Sequence, residues 1–191
     1  MKIEVLEATD KAIKFRLSGA SNSYANALRR TIMNDVETFA IDTVTFYENT
    51  SAMFDEYIAH RIGLVPILTP SEKQLKSDEV LFTLDAIGPK TVYSRELETQ
   101  DKRIKVANGN IPIIKLYNDQ KLRIEAKAVL GNGYKHAKFQ PGFVTFNETG
   151  KGEFEFYIET FGQMPPKEIM ERALDALRDE LKEVEKVAKK L

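Results

Sequence analysis

Cysteine is absent from all 191 residues. That gap excludes disulfides, zinc ribbons, cysteine-held iron–sulfur clusters and thiol catalysis together. Histidine occurs only at His60 and His136, so a metal centre has few nitrogen donors to draw on. An excess of charge is lacking too, the formal net value being −1. A free-standing DNA-binding domain usually carries a basic excess, because phosphate neutralisation supplies most of its affinity. Direct, sequence-specific DNA binding is therefore not expected. No run approaches the ~20 apolar residues of a membrane span, and MKIEVLEATD lacks the apolar core of a signal peptide. A cytoplasmic protein with no membrane association is the expectation. Neither G-x-x-x-x-G-K-[ST] nor G-x-S-x-G occurs.

What is present is ordinary globular material, 42% hydrophobic and 30% charged, enough for one sizeable domain or two small ones. Ile13, Phe15 and Leu17 alternate with Lys14 and Arg16, a half-buried strand. MKIEVLEA is its hairpin partner, with the turn near Thr9-Asp10-Lys11. Ser21 or Ser23 caps a helix in which Ala25, Leu28, Ile32 and Val36 share one face. Ile41 to Tyr47 reads as a strand. MFDEYIAHRIGLVPI reads as a short helix with Met53, Tyr57, Ile58 and Ile62 roughly in line. SEKQLKSDE is a polar loop, VLFTLDAIGP a strand and turn, and Glu96 to Gly109 loop-like. KLRIEAKAVLG and GEFEFYIETFG are alternating strands.

Two helices raise the question of partners. Asn22, Asn26, Arg29 and Met33 form a second line along the first helix, with Arg30 beside it, which suits a helix covered on two sides. At the end of the chain, Met170, Leu174, Leu177, Leu181, Val184, Ala188 and Leu191 recur at alternating intervals of four and three, a coiled-coil-like seam. Pro166 suits its first turn, and Glu168–Arg172 and Glu185–Lys189 are spaced to pair. This helix, roughly 40 Å long at 1.5 Å per residue, outruns the core of a small domain. A second chain packed on the seam is the economical answer.

Candidate enzyme features are sparse. Gly131-Asn132-Gly133 follows a strand, but His136 stands where G-x-G-x-x-G needs its third glycine, so a tight turn is the better reading. Glu56 and His60 lie one helical turn apart and could share a metal only with further ligands. Asp55 and Glu56 are adjacent and do not converge as an acid–base pair. Tyr134 to Phe139 interleaves bases and aromatics, a weak RNA-like pattern on a net-acidic chain. The alternatives are a small metal- or nucleotide-dependent enzyme built on Glu56, His60 and the Gly131–Gly133 turn, or a homodimeric scaffold using the terminal seam.

ANALRRTIMNDVETFAID followed by VTFYENTSAMFDEYIAHRIGLVPI resembles the D family of archaeal RNA polymerase subunits, related to the bacterial alpha subunit and to the third-largest subunit of eukaryotic RNA polymerase II. LGNGYKHAKFQP is similar to that family's G-x-x-x-x-HAK-x-x-P loop, and FYIETFGQMPPKEIMERALDALRDEL to its closing strand and helix. The resemblance implies an α+β fold with a discontinuous dimerisation domain, residues 1–38 plus 147–191, and an inserted β-rich domain, residues 39–146. It implies a non-catalytic assembly subunit of DNA-dependent RNA polymerase, with the catalytic metal-binding acids in the largest subunit. Subunit L would pair with the seam Met170, Leu174, Leu177, Leu181, Val184 and Ala188. The pair would present a composite surface to the second-largest subunit and to the small subunits N and P, and Asn26, Arg29, Arg30, Met33, His60, Arg61, His136 and Lys138 would be subunit-interface residues. Many members carry a cysteine-rich, ferredoxin-like insertion. Here Phe146 leads through NETGKG directly into the closing strand, so neither that insertion nor any other cofactor is expected. The separate DNA-binding domain of the bacterial subunit is likewise not expected beyond Leu191.

Overall fold

A computed structural model describes residues 1–70, 79–101 and 103–190. The chain divides into two compact units, Met1–Glu37 with Asn132–Leu191, and Thr38–Gly131. The loop predicted at SEKQLKSDE falls almost wholly outside the described residues, as does Leu191 of the seam.

The first unit opens on a hairpin of β1 (Lys2–Ala8) and β2 (Ala12–Ser18). Its turn is closed by Thr9, whose N–H donates to the Ala12 carbonyl at 2.8 Å. Helix α1 spans Asn22–Asn34, and the Ser21 hydroxyl accepts from the Tyr24 N–H, satisfying one of the amides a helix start leaves open. The unit is completed by β9 (Gly142–Gly150), β10 (Glu153–Thr160) and helix α3 (Pro166–Ala188). Its four strands form an antiparallel sheet in the order β1-β2-β10-β9. Strand β10 buries Phe154, Phe156 and Ile158. Phe156 stacks on Phe15 with centroids 5.0 Å apart and also meets Phe146. Leu28, Ile32 and Val36 close over them with Ile169 and Ala173. The opposite sheet face is polar, where Arg16 and Lys14 reach Glu155 at 2.9 and 3.2 Å. The Arg16 guanidinium, then the Lys14 ammonium, hold the Glu155 carboxyl below the usual carboxylate range.

NETGKG is not the bare link that the sequence suggests. Strand β9 runs through it and forms a hairpin with β10, turning at Gly152 with φ 74°. That pairing places residues 142–146 with the first unit. The two compact units divide at Gly131/Asn132.

The second unit holds β3 (Thr38–Asn49), α2 (Asp55–Gly63), β4 (Glu79–Ile87), β5 (Lys90–Tyr93), β6 (Glu98–Thr99), β7 (Pro112–Leu116) and β8 (Lys121–Gly131). Its main sheet runs β3-β8-β4-β6, and β5 pairs with β7 in a two-stranded sheet. Val80, Phe82, Leu84 and Ala86 on β4 face Leu122, Ile124, Ala126 and Ala128 on β8 in one buried layer. Ile58 and Ile62, one turn apart on α2, seal it. Tyr57, expected in line with them, is 64% exposed, since it sits about 100° round the helix from Ile58. Among the described residues no helix is long and apolar enough to cross a membrane.

Candidate interaction surface

Helix α1 turns Ala25, Leu28, Thr31 and Ile32 into the first unit's core. Its second line is organised before any partner arrives. Arg29 donates from Nε and Nη2 to Asn26 Oδ1 at 3.3 and 3.1 Å, and from Nη1 to Met33 Sδ at 3.4 Å. These contacts lay the guanidinium along the helix and reduce the side-chain entropy that a further contact would cost. Arg30 is exposed. At the helix end, burial pushes the Asp35 carboxyl up, against a hydrogen bond from Thr31 and the charge of Arg30.

The segment after β8 folds against that end of α1. A Cβ on Gly133 would lie 2.3 Å from the Met33 carbonyl oxygen and 2.9 Å from the Asn34 Cα, so only glycine permits the approach. The Asn132 carbonyl accepts from the Lys135 N–H at 3.0 Å, closing a tight turn just after β8. His136 is exposed, and its Nδ1 accepts from the Lys138 N–H at 3.0 Å. The Lys135 and Lys138 ammonium groups lie 5.2 and 5.3 Å from the buried Phe139 ring centroid, within cation–π range. The predicted residues His136 and Lys138 are thus held on a loop tied to the predicted helix. Gly133→Ala should cost about 1–3 kcal/mol, because backbone must move. A thermal melt and amide exchange across 132–139 read the effect; an unchanged melt would contradict the packing.

Helix α3 divides its seam. Pro166 is buried at the start of the helix, and Ile169 and Ala173 lie in the unit's own core, with Met170, Leu174 and Leu177 packed partly against it. Leu181 and Val184 are 68% and 66% exposed, and Ala188 is exposed as well. Periodicity alone makes the seam one partner-facing line. It passes over Ile169 and Ala173, one position before Met170 and Leu174, because the small Ala173 does not announce a buried stripe. Arg172 bonds Glu168 at 2.6 Å and approaches the Glu37 carbonyl at 3.5 Å, anchoring the near half of the helix. From Arg178 to Lys190 every residue is exposed.

In the second unit His60 is exposed, one turn from exposed Glu56 on α2. Arg61 donates from Nε to the Ile113 carbonyl at 2.8 Å and from Nη2 to the Pro112 carbonyl at 2.6 Å. Its fork therefore ties α2 to β7, a structural use that no sequence pattern signals. Among the described residues no three His, Cys, Asp or Glu side chains group as metal ligands would.

Residues 36–145 match the family model for the RNA polymerase Rpb3/RpoA insert domain, more than half of the chain. The chain is 44% identical over 157 residues to the DNA-directed RNA polymerase subunit Rpo3 of Methanocaldococcus jannaschii, covering 82% of this chain and 80% of the relative. It is 34% identical to the Halobacterium salinarum Rpo3, covering 96% and 95%. This chain belongs to the Rpo3 family of RNA polymerase subunits. The Rpo3 of Pyrococcus furiosus is 47% identical over 152 residues, 76% of this chain but 58% of the relative. The chain thus spans a little under three-fifths of the length of that Rpo3. The Halobacterium alignment runs over 237 positions, longer than the 191 residues here, so that Rpo3 carries segments without a counterpart in this chain.

Proposed function

We propose that this Rpo3-family chain is a non-catalytic assembly subunit of an archaeal DNA-dependent RNA polymerase, acting in the cytoplasm without a cofactor of its own. It pairs with subunit L through the far half of α3. The pair then offers α1 and the Gly133–Lys138 loop to the second-largest subunit, with the small subunits N and P completing the contact. The first unit is the dimerisation domain and the second is the inserted β-rich domain. The observation that carries this reading is the bare apolar ridge of Leu181 and Val184 on a helix whose near half is anchored in its own core. A protruding helix of this kind gains stability only when a second surface removes its apolar side chains from water. The Asn26–Arg29–Met33 line supports the second contact, since a preorganised arginine is a frequent anchor in interfaces. The absence of cysteine from the sequence supports the lack of an iron–sulfur cluster.

A tagged chain returned to an archaeal cell extract tests the proposal, with co-purifying polypeptides identified by mass. Subunit L and the large polymerase subunits should be recovered in fixed proportion at moderate salt. Recovery of the chain alone, or with proteins unrelated to transcription, would refute it.

A further inference from the structure

The first unit's sheet has one strand that its helices leave bare. Helix α1 packs on β9 and α3 crosses β10 and β2, while all seven residues of β1 are exposed. The register shows what that strand presents. Ile3 lies opposite Leu17 and Val5 opposite Phe15, and those residues lie opposite Phe154 and Phe156. Directly paired residues point to the same face, so Ile3 and Val5 continue the buried face of the sheet. They are nevertheless 50% and 58% exposed. Leu6, the residue added where the register shifts between Val5 and Glu7, is exposed beside them.

We infer that this β1 ledge is a second half of the pairing surface, occupied by an amphipathic helix of the partner chain. The inference rests on the pairing proposed above and specifies what the partner brings. A standard interface takes about 800 Å² from each partner. Leu181, Val184, Val187 and Ala188, all exposed, offer on the order of 100 Å² each at most, well short of that. Ile3, Val5 and Leu6 add a comparable apolar area on the same unit, and Ile3 and Val5 continue the core face of its sheet in register. A helix rather than a strand fits the ledge. The bulge interrupts the β1 edge, and irregular edges resist strand addition. The open face, in contrast, asks for residues spaced i, i+3, i+4 and i+7.

The lack of native cysteine makes a direct test available. Val5→Cys places a single thiol on the ledge, and its alkylation rate can be read on this chain by mass, alone and saturated with subunit L. The inference expects at least a tenfold slowing in the pair. Alkylation at the free rate in a saturated pair would overturn it while leaving the pairing intact. Slowing that appears without L and grows with the chain's own concentration would also overturn it, in favour of a second copy. As a second readout, Ile3→Glu with Val5→Glu should weaken binding of L at least about 30-fold while the isolated chain still unfolds in a cooperative melt. Wild-type affinity for that variant would overturn the ledge. If the wild-type chain itself fails to bind L, the proposed function fails first and the ledge with it.

Discussion

Replacing Leu181 and Val184 together by Asp should weaken the proposed pair with subunit L by about a thousandfold, while the melting temperature of the isolated chain moves by only ~2–4 °C. Both side chains are already in water in the unpaired chain. Their loss therefore removes no core contact, leaving a modest helix-propensity and dipole cost of roughly 1 kcal/mol. In the pair the same positions would bury two unpartnered carboxylates. Truncated or misfilled anchors commonly cost about 2 kcal/mol or more each, and about 4 kcal/mol is roughly a thousandfold in Kd. Leu177 is a poorer choice for this purpose. It packs partly against the chain's own core, so Leu177→Asp would lower the melt and confuse folding with pairing. Titration calorimetry with L, beside a thermal melt of each variant alone, separates the two. Tight binding by the double variant would remove α3 from the interface.

The second large effect concerns what holds the platform together. Phe156→Ala should destabilise the first unit by about 3–5 kcal/mol, the range for truncating a buried aromatic. The ring is fully buried, stacked on Phe15 and tilted against Phe146 at 5.1 Å. It lies where the hairpin, the closing strand and both helices meet. At ~2–4 °C per kcal/mol for a chain of this size, the melt of that unit should fall by roughly 6–20 °C. The neighbouring Tyr157 points to the polar face and bonds Glu159 at 3.1 Å. Its replacement by Ala should shift the melt by a few degrees at most. Amide exchange localises the loss, with β10 and α1 deprotected and β4 and β8 unaffected if the units open separately. Equal shifts for the two variants would contradict this assignment of faces.

Which parts were legible follows from the physics of pattern. The β1–β2 hairpin, β8 and β10 announce themselves by strict alternation of Phe, Leu and Ile with charges, and α1 by its serine cap and apolar line. Strand β7 hides because Ile113 and Ile114 are both buried, so no alternation shows. Strand β9 hides because its far half is polar and exposed at the sheet edge. The seam on α3 is legible as a face, but periodicity cannot say what covers a face. Only the packing separates Ile169 and Ala173, sunk in their own core, from Leu181 and Val184, left bare. Arg61 shows the same limit from the other side. Its charge suggests a partner, and its fork is spent on two backbone carbonyls of its own unit. The Arg29 line is visible as a second stripe, yet its locking by Asn26 and Met33 depends on rotamers that sequence does not state.

Completion of this chain by another polypeptide is the claim on which the rest depends. Sedimentation equilibrium of the purified chain, with and without subunit L, addresses it directly. The expected result is a one-to-one complex with L that persists at micromolar concentration. A well-behaved monomer whose mass is unchanged by excess L would contradict it.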